Sequence, residues 1–100
     1  SRPEILAAGT KSLGKDCGER TYPARAAEFQ LSAVSCEGGS SAVLELRSAE
    51  ILLVTEGWAA LKTENCGLAL KRGESVFVPA SVGRIAVEGS FTLFRARIPE

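Results

Sequence analysis

The sequence contains neither histidine nor methionine in its 100 residues. Without histidine there is no Ser-His-Asp or Cys-His catalytic pair, no imidazole metal site and no ordinary imidazole base. Without methionine the chain does not start at an initiator, and it is expected to be an excised domain or a processed piece. Charge of either sign is not in excess. Lys and Arg number 12, Asp and Glu number 12, and the basic residues are scattered, which excludes the basic footprint of a nucleic-acid binder. Long apolar runs are absent too. The longest, Ile51-Leu52-Leu53-Val54, suits one buried strand and falls far short of the roughly 20 residues that cross a bilayer. The N-terminal Ser1-Arg2-Pro3-Glu4 does not lead into the apolar core of a signal peptide. Cysteine is sparse and odd in number. Cys17, Cys36 and Cys66 lack the density of a secreted disulfide framework and the short paired spacing of a zinc site. They are expected to be reduced thiols of a cytoplasmic protein.

What is present is β texture. Residues 1–26 carry Pro3, Gly9, Gly14, Gly18 and Pro23 and are expected to be irregular, packing on the remainder or leading into it from an upstream domain. From residue 27 to 100 short β-prone segments alternate with turn signals. Phe29, Leu31 and Ala33 alternate with Glu28, Gln30 and Ser32, the period-2 pattern of a half-buried strand. Further strands are expected at 42–46, 51–55, 58–62, 68–70, 75–78, 84–87 and 91–97, separated at Gly38-Gly39, Glu56-Gly57, Asn65-Cys66-Gly67, Gly73, Pro79 and Glu88-Gly89. About eight short strands with no substantial helix describe an all-β sandwich, barrel or jelly roll. Trp58 and the phenylalanines at 29, 77, 91 and 94 fall on strand positions and are expected in the core.

Candidate chemistry is thin. Glu45 alternates with Val43, so it faces either the interior or solvent, and only a buried carboxyl would serve as an acid or base. Lys71-Arg72 at a hairpin is expected to be a solvated tip. Gly38-Gly39 precedes a strand rather than a helix, so it offers no helix N-terminal amides to a phosphate.

The order of strands and turns resembles the cupin superfamily. Gly73-Glu74-Ser75-Val76-Phe77-Val78-Pro79 matches the Gly-to-Pro spacing of that family's second motif. Aligning Gly39 and Pro79 with the two motifs puts Glu45, Arg47 and Arg84 where the family's histidine ligands would fall, and Ile51 or Leu52 near its acidic ligand. Such a set does not bind a transition metal. The resemblance therefore implies a cupin-like jelly roll without its metal.

A narrower resemblance covers about Tyr22 to Arg97. Tyr22-Pro23, Glu28-Phe29-Gln30-Leu31, Ile51 to Gly57, Gly73 to Ala80 and Thr92-Leu93-Phe94-Arg95-Ala96 resemble, in order and spacing, the C-terminal domain of type I mannose-6-phosphate isomerases. The resemblance implies a parent enzyme that interconverts mannose 6-phosphate and fructose 6-phosphate with a zinc ion held upstream. It assigns no catalytic, substrate-binding or metal residue to this chain, and neither Arg84 nor Arg95 matches the family's catalytic arginine. The expected role is structural, with the upstream catalytic domain of the same polypeptide as partner. The alternative is a stand-alone degenerate cupin that binds sugar or regulates, which an inward polar cluster would favour. A third reading, a metal-independent isomerase, needs a buried carboxylate facing an open pocket.

Overall fold

The computed structural model describes residues 9–22 and 30–97. Seven strands occupy them: β1 (Gly9–Gly14), β2 (Cys17–Tyr22), β3 (Gln30–Glu45), β4 (Glu50–Lys62), β5 (Gly67–Lys71), β6 (Ser75–Val78) and β7 (Arg84–Arg97), with one 3₁₀ turn at Ala80–Val82. All pairings are antiparallel, in the order β1-β2-β3-β7-β4-β5, and β6 pairs with the first part of β4. The all-β jelly roll expected from the sequence is the fold observed.

Three strands are far longer than expected. β3, β4 and β7 each join two of the anticipated segments into strands of 16, 13 and 14 residues. The supposed turns between those segments are irregularities inside continuous strands. The register shifts between Cys36 and Ser40 on β3, and between Val54 and Glu56 on β4. Gly57 and Gly89 both have φ in the left-handed region, at 73° and 147°. A Cβ at Gly57 would collide with the Ser90 carbonyl, and one at Gly89 with the Trp58 carbonyl. Glycine at these sites lets the paired strands β4 and β7 approach closely at the irregularity, with no side chain between their backbones.

The irregularities divide the sheet into two halves. In one, residues 30–36, 50–54 and 91–97 lie beside β2 and β6. In the other, residues 40–45, 56–62 and 84–89 lie beside β5. Alternate side chains from both halves enter one core that includes Val34, Leu44, Leu52, Val54, Leu61, Val87 and Leu93. Leu44, Leu52 and Leu93 are each at most 1% exposed, a burial that contributes roughly 1.5–3 kcal/mol per side chain.

The hairpin of β1 and β2 replaces part of the irregular segment expected over residues 1–26, and the other residues of that segment lie outside those described, as does Phe29. The hairpin also corrects the reading of the cysteines. Cys17 on β2 and Cys36 on β3 are direct register partners, their Cα atoms 4.1 Å apart, and they form a disulfide; Cys66 is free and exposed. The pairing is hidden in the sequence because Cys17 lies in the segment expected to be irregular, whereas it opens β2. The aromatic expectation needs the same revision. Phe91 is buried, but Trp58 is 48% exposed and Phe77 60% exposed, because their alternation places them on outer faces.

Candidate functional site

At one end of the interior the alternation that buries Leu93 and Leu52 also turns charged side chains inward. Arg95 lies two residues beyond Leu93 on β7, and Glu50 two before Leu52 on β4. Glu19 comes from β2 and Ser32 from β3. Glu50, Arg95, Glu19 and Ser32 are 1%, 2%, 5% and 0% exposed.

Arg95 is the hub. Its Nε donates to Glu50 Oε1 at 2.8 Å and its Nη2 to Glu50 Oε2 at 2.7 Å, a planar fork on a carboxylate. Nη1 donates to Glu19 Oε2 at 3.0 Å, and Nη2 also reaches the Glu45 carbonyl at 2.8 Å. Glu19 Oε2 accepts two more bonds, from Ser32 Oγ at 2.6 Å and from Arg97 Nη2 at 3.0 Å. Arg97 Nε sits 3.6 Å from Glu50 Oε2 and has no hydrogen-bond partner. Two carboxylates and two guanidiniums thus balance within one buried group.

The electrostatics follow. Burial alone would push the Glu19 carboxyl up. The Ser32 hydroxyl and the charges of Arg95, Arg97 and Lys11 outweigh it and hold Glu19 below the usual carboxylate range. Burial likewise opposes the Arg95 charge, but the bonds and charges of Glu50 and then Glu19 hold its guanidinium more firmly protonated than usual. Glu50 Oε1 and Oε2 and Glu19 Oε2 all accept from guanidinium or hydroxyl donors, and neither carboxylate lines either of the two cavities described next.

Glu45, Arg47 and Arg84 do not point where the cupin alignment would need them. All three are exposed, and Glu45 and Arg84 pair with each other at 3.5 Å on the outside of the sheet. The inward neighbours at that level are Leu44, Leu46 and Ile85. Alignment by motif spacing was out of phase with the pleat, and a one-residue slip exchanges the two faces. Of the two positions set against the acidic ligand, Leu52 is buried and Ile51 is 46% exposed.

Two hollows remain. One of about 160 Å³ is lined by Leu61, Cys66, Leu68, Val76, Val78 and Ile85 among others, an apolar space with one thiol. The other, about 970 Å³ and open, lies over Val43 and Ala86 with Glu45, Lys62, Asn65 and Arg84 around it. Its two closest opposite charges, Glu45 and Arg84, already face each other.

Sequence reasoning missed the Arg95 cluster. The available signal was parity: Phe91, Leu93 and Arg95 share a face of one strand, as do Val54, Leu52 and Glu50 on its neighbour. Opposite charges on inward positions of adjacent strands mark a buried pair.

These features define a jelly-roll domain of the cupin class, with the aliphatic side chains of Leu44, Leu46 and Ile85 at the inward positions beside Glu45 and Arg84. A family model for the cupin domain of mannose-6-phosphate isomerase matches residues 18–98, and the chain belongs to that family. Solved structures agree. A zinc-bound holo mannose 6-phosphate isomerase superposes with a TM-score of 0.81 at 26% identity, covering 94% of this chain and 22% of that one. A mutant phosphomannose isomerase from Salmonella typhimurium gives a TM-score of 0.74 at 29% identity, over 80% of this chain and 20% of that one. The Salmonella typhimurium enzyme bound to substrate (f6p) and zinc gives 0.75 at 28% identity, over 82% and 21%. No curated protein matches by sequence alone. The chain thus spans about a fifth of the length of the solved enzymes it resembles.

Zinc does not fit the residues present. Among the described residues no group of three or more His, Cys, Asp or Glu stands together to hold a metal ion, and the two buried carboxylates are claimed by guanidiniums. Among the described residues no helix is long and apolar enough to cross a membrane.

Proposed function

We propose that this chain is a non-catalytic domain of a mannose-6-phosphate isomerase, corresponding to the C-terminal cupin domain of the type I enzymes. In this reading the parent protein is cytoplasmic and carries its zinc and its aldose–ketose chemistry in an upstream catalytic domain. The jelly roll is structural and packs on that domain.

One observation carries the reading: the inward positions beside Glu45 and Arg84 are filled by Leu44, Leu46 and Ile85, and the buried ionisable side chains among the described residues, Glu19, Glu50 and Arg95, are joined to one another. An inward polar cluster is the feature a sugar-binding module would need, but here Glu19, Glu50 and Arg95 bond to one another, and neither carboxylate lines a described cavity.

The test is metal analysis and an isomerase assay on the purified chain. It is expected to hold no stoichiometric zinc and to leave mannose 6-phosphate unconverted. Stoichiometric zinc with chelator-sensitive conversion would sink the reading, and calorimetric binding of a sugar phosphate would replace it with the sugar-binding module.

A further inference from the structure

The outer surface of the half-sheet that holds the Arg95 cluster is apolar across five strands. Register pairs run Tyr22 to Leu31, Leu31 to Ala96, Ala96 to Ile51 and Ile51 to Phe77, one unbroken row from β2 through β3, β7 and β4 to β6. The adjoining row on the same face runs from Arg20 through Ala33, Phe94 and Leu53 to Ser75. The first row carries no charge and the second carries one, at its far end. Phe77 is 60% exposed, Ile51 46% and Leu53 38%. Tyr22 stacks on Phe94 with ring centroids 6.3 Å apart, so the aromatic surface is held flat. The next row, Gly18, Ser35, Thr92 and Glu56, is polar. An uncharged centre with a polar margin is the composition of an interface core and its rim. The opposite half-sheet differs: its outward side chains include Glu45, Lys62, Arg84 and Glu88, and its exposed Val43 and Trp58 stand among them.

The geometry points to this face, centred on Ile51, Leu53, Phe77 and Phe94, as the surface on which the rest of the isomerase polypeptide packs. The inference rests on the reading of the chain as one domain of a longer enzyme. The occupant is chosen by chain length and by chemistry. The solved relatives match 80% to 94% of this chain, yet it spans only 20% to 22% of them, so in those proteins about four-fifths of the polypeptide lies outside this jelly roll. A covering domain in the same polypeptide is at high effective concentration and needs no charge to be guided to its site. A face without charge suits that partner better than a nucleic acid or an acidic protein, and an exposed patch of this kind is otherwise a solubility liability.

The test is hydroxyl-radical footprinting, read by mass spectrometry, on the 100-residue chain alone and on the full-length polypeptide that contains it. Oxidation of Tyr22, Leu53, Phe77 and Phe94 is expected to fall at least about fivefold in the full-length protein, as water leaves an interface core, while Trp58 and Val43 label alike in both. Phe77→Ser is expected to leave the melting temperature of the isolated chain unchanged, because the side chain is exposed there, and to lower that of the full-length protein. Equal labelling of the four residues in both forms, or protection at Trp58 and Val43 instead, overturns the proposal. So does concentration-dependent protection of the isolated chain with dimers in sedimentation, which would make a second copy the occupant. A full-length protein that protects this face but lacks isomerase activity leaves the docking surface standing and removes the functional reading.

Discussion

Arg95 and Glu50 lie 45 residues apart in sequence and meet as a two-bond fork inside the jelly roll, at 2.8 and 2.7 Å. The fork joins β7 to β4, and through Glu19 it reaches β2. Removing one partner strands the other in a medium where an unpaired charge is costly. Arg95→Met is therefore expected to destabilise the fold by about 3–5 kcal/mol, measured as a lower urea midpoint at pH 7. The double variant Arg95→Met, Glu50→Leu takes both charges out together. It is expected to be more stable than the sum of the two single losses implies, by at least about 1 kcal/mol. Strict additivity would show that the fork is not an energetic unit.

Glu19 supplies a pH dependence with a definite sign. Its carboxyl is held below the usual range in the folded state, chiefly against burial and by Ser32, Arg95 and Arg97. A depressed folded-state pKa means the unfolded chain binds a proton first as acid is added. The stabilisation is therefore fully present above the ordinary Glu value of about 4.3 and is lost as pH falls through the lower folded value. Urea melts from pH 7 down to pH 3 should show falling stability in the acid limb. Glu19→Gln should flatten that limb while lowering stability at pH 7. An identical acid limb in the variant would assign the loss to other carboxylates.

Much of this fold could be read from alternation. The segments at 42–46, 51–55, 75–78 and 91–97 were visible because Val, Leu, Ile and Phe concentrate there between turn-forming residues. The joins were not, because Gly marks a turn and a bulge with the same letter. Gly38-Gly39, Gly57 and Gly89 bend strands that continue past them. The β1–β2 hairpin was hidden for another reason. The inward positions on β2 are Cys17 and Glu19, so the apolar half of the pattern is missing there. Faces were the least legible property. Glu45 and Arg84 were set against metal ligands, while the interior belonged to Leu44 and Ile85, one residue away. The partner that makes Glu19 burial tolerable, Arg95, is 76 residues distant, and no local pattern announces it.

The glycine in the middle of β4 should be among the least replaceable residues. Gly57 has φ of 73°, and its missing Cβ leaves room for the Ser90 carbonyl of β7. Gly57→Ala brings both backbone strain and a backbone collision and is expected to cost more than about 3 kcal/mol. Gly73, at φ of 87°, has nothing within 4 Å of the same position. Gly73→Ala carries only the conformational penalty, about 1 kcal/mol. Comparison of the two thermal melts separates collision from strain. Equal losses would mean that β4 and β7 part easily at Gly57.

The Cys17–Cys36 bond ties the β1–β2 hairpin to β3 across a sequence separation of 19 residues. In the loop-entropy picture a cross-link of that span contributes about 3 kcal/mol, so Cys17→Ser with Cys36→Ser should lower stability by up to that amount under oxidising conditions and by much less with reductant present. Thiol counting gives the second readout. Protein purified in air should expose one reactive cysteine, Cys66, and three after reduction and unfolding. The same count in intact cells reports the compartment, because a reducing cytosol keeps thiols free. Alkylation of cells before lysis is expected to modify all three cysteines once the chain is unfolded in the presence of the reagent. A pair already oxidised at that stage would place the protein outside the cytoplasm, against the location expected for a cytoplasmic isomerase.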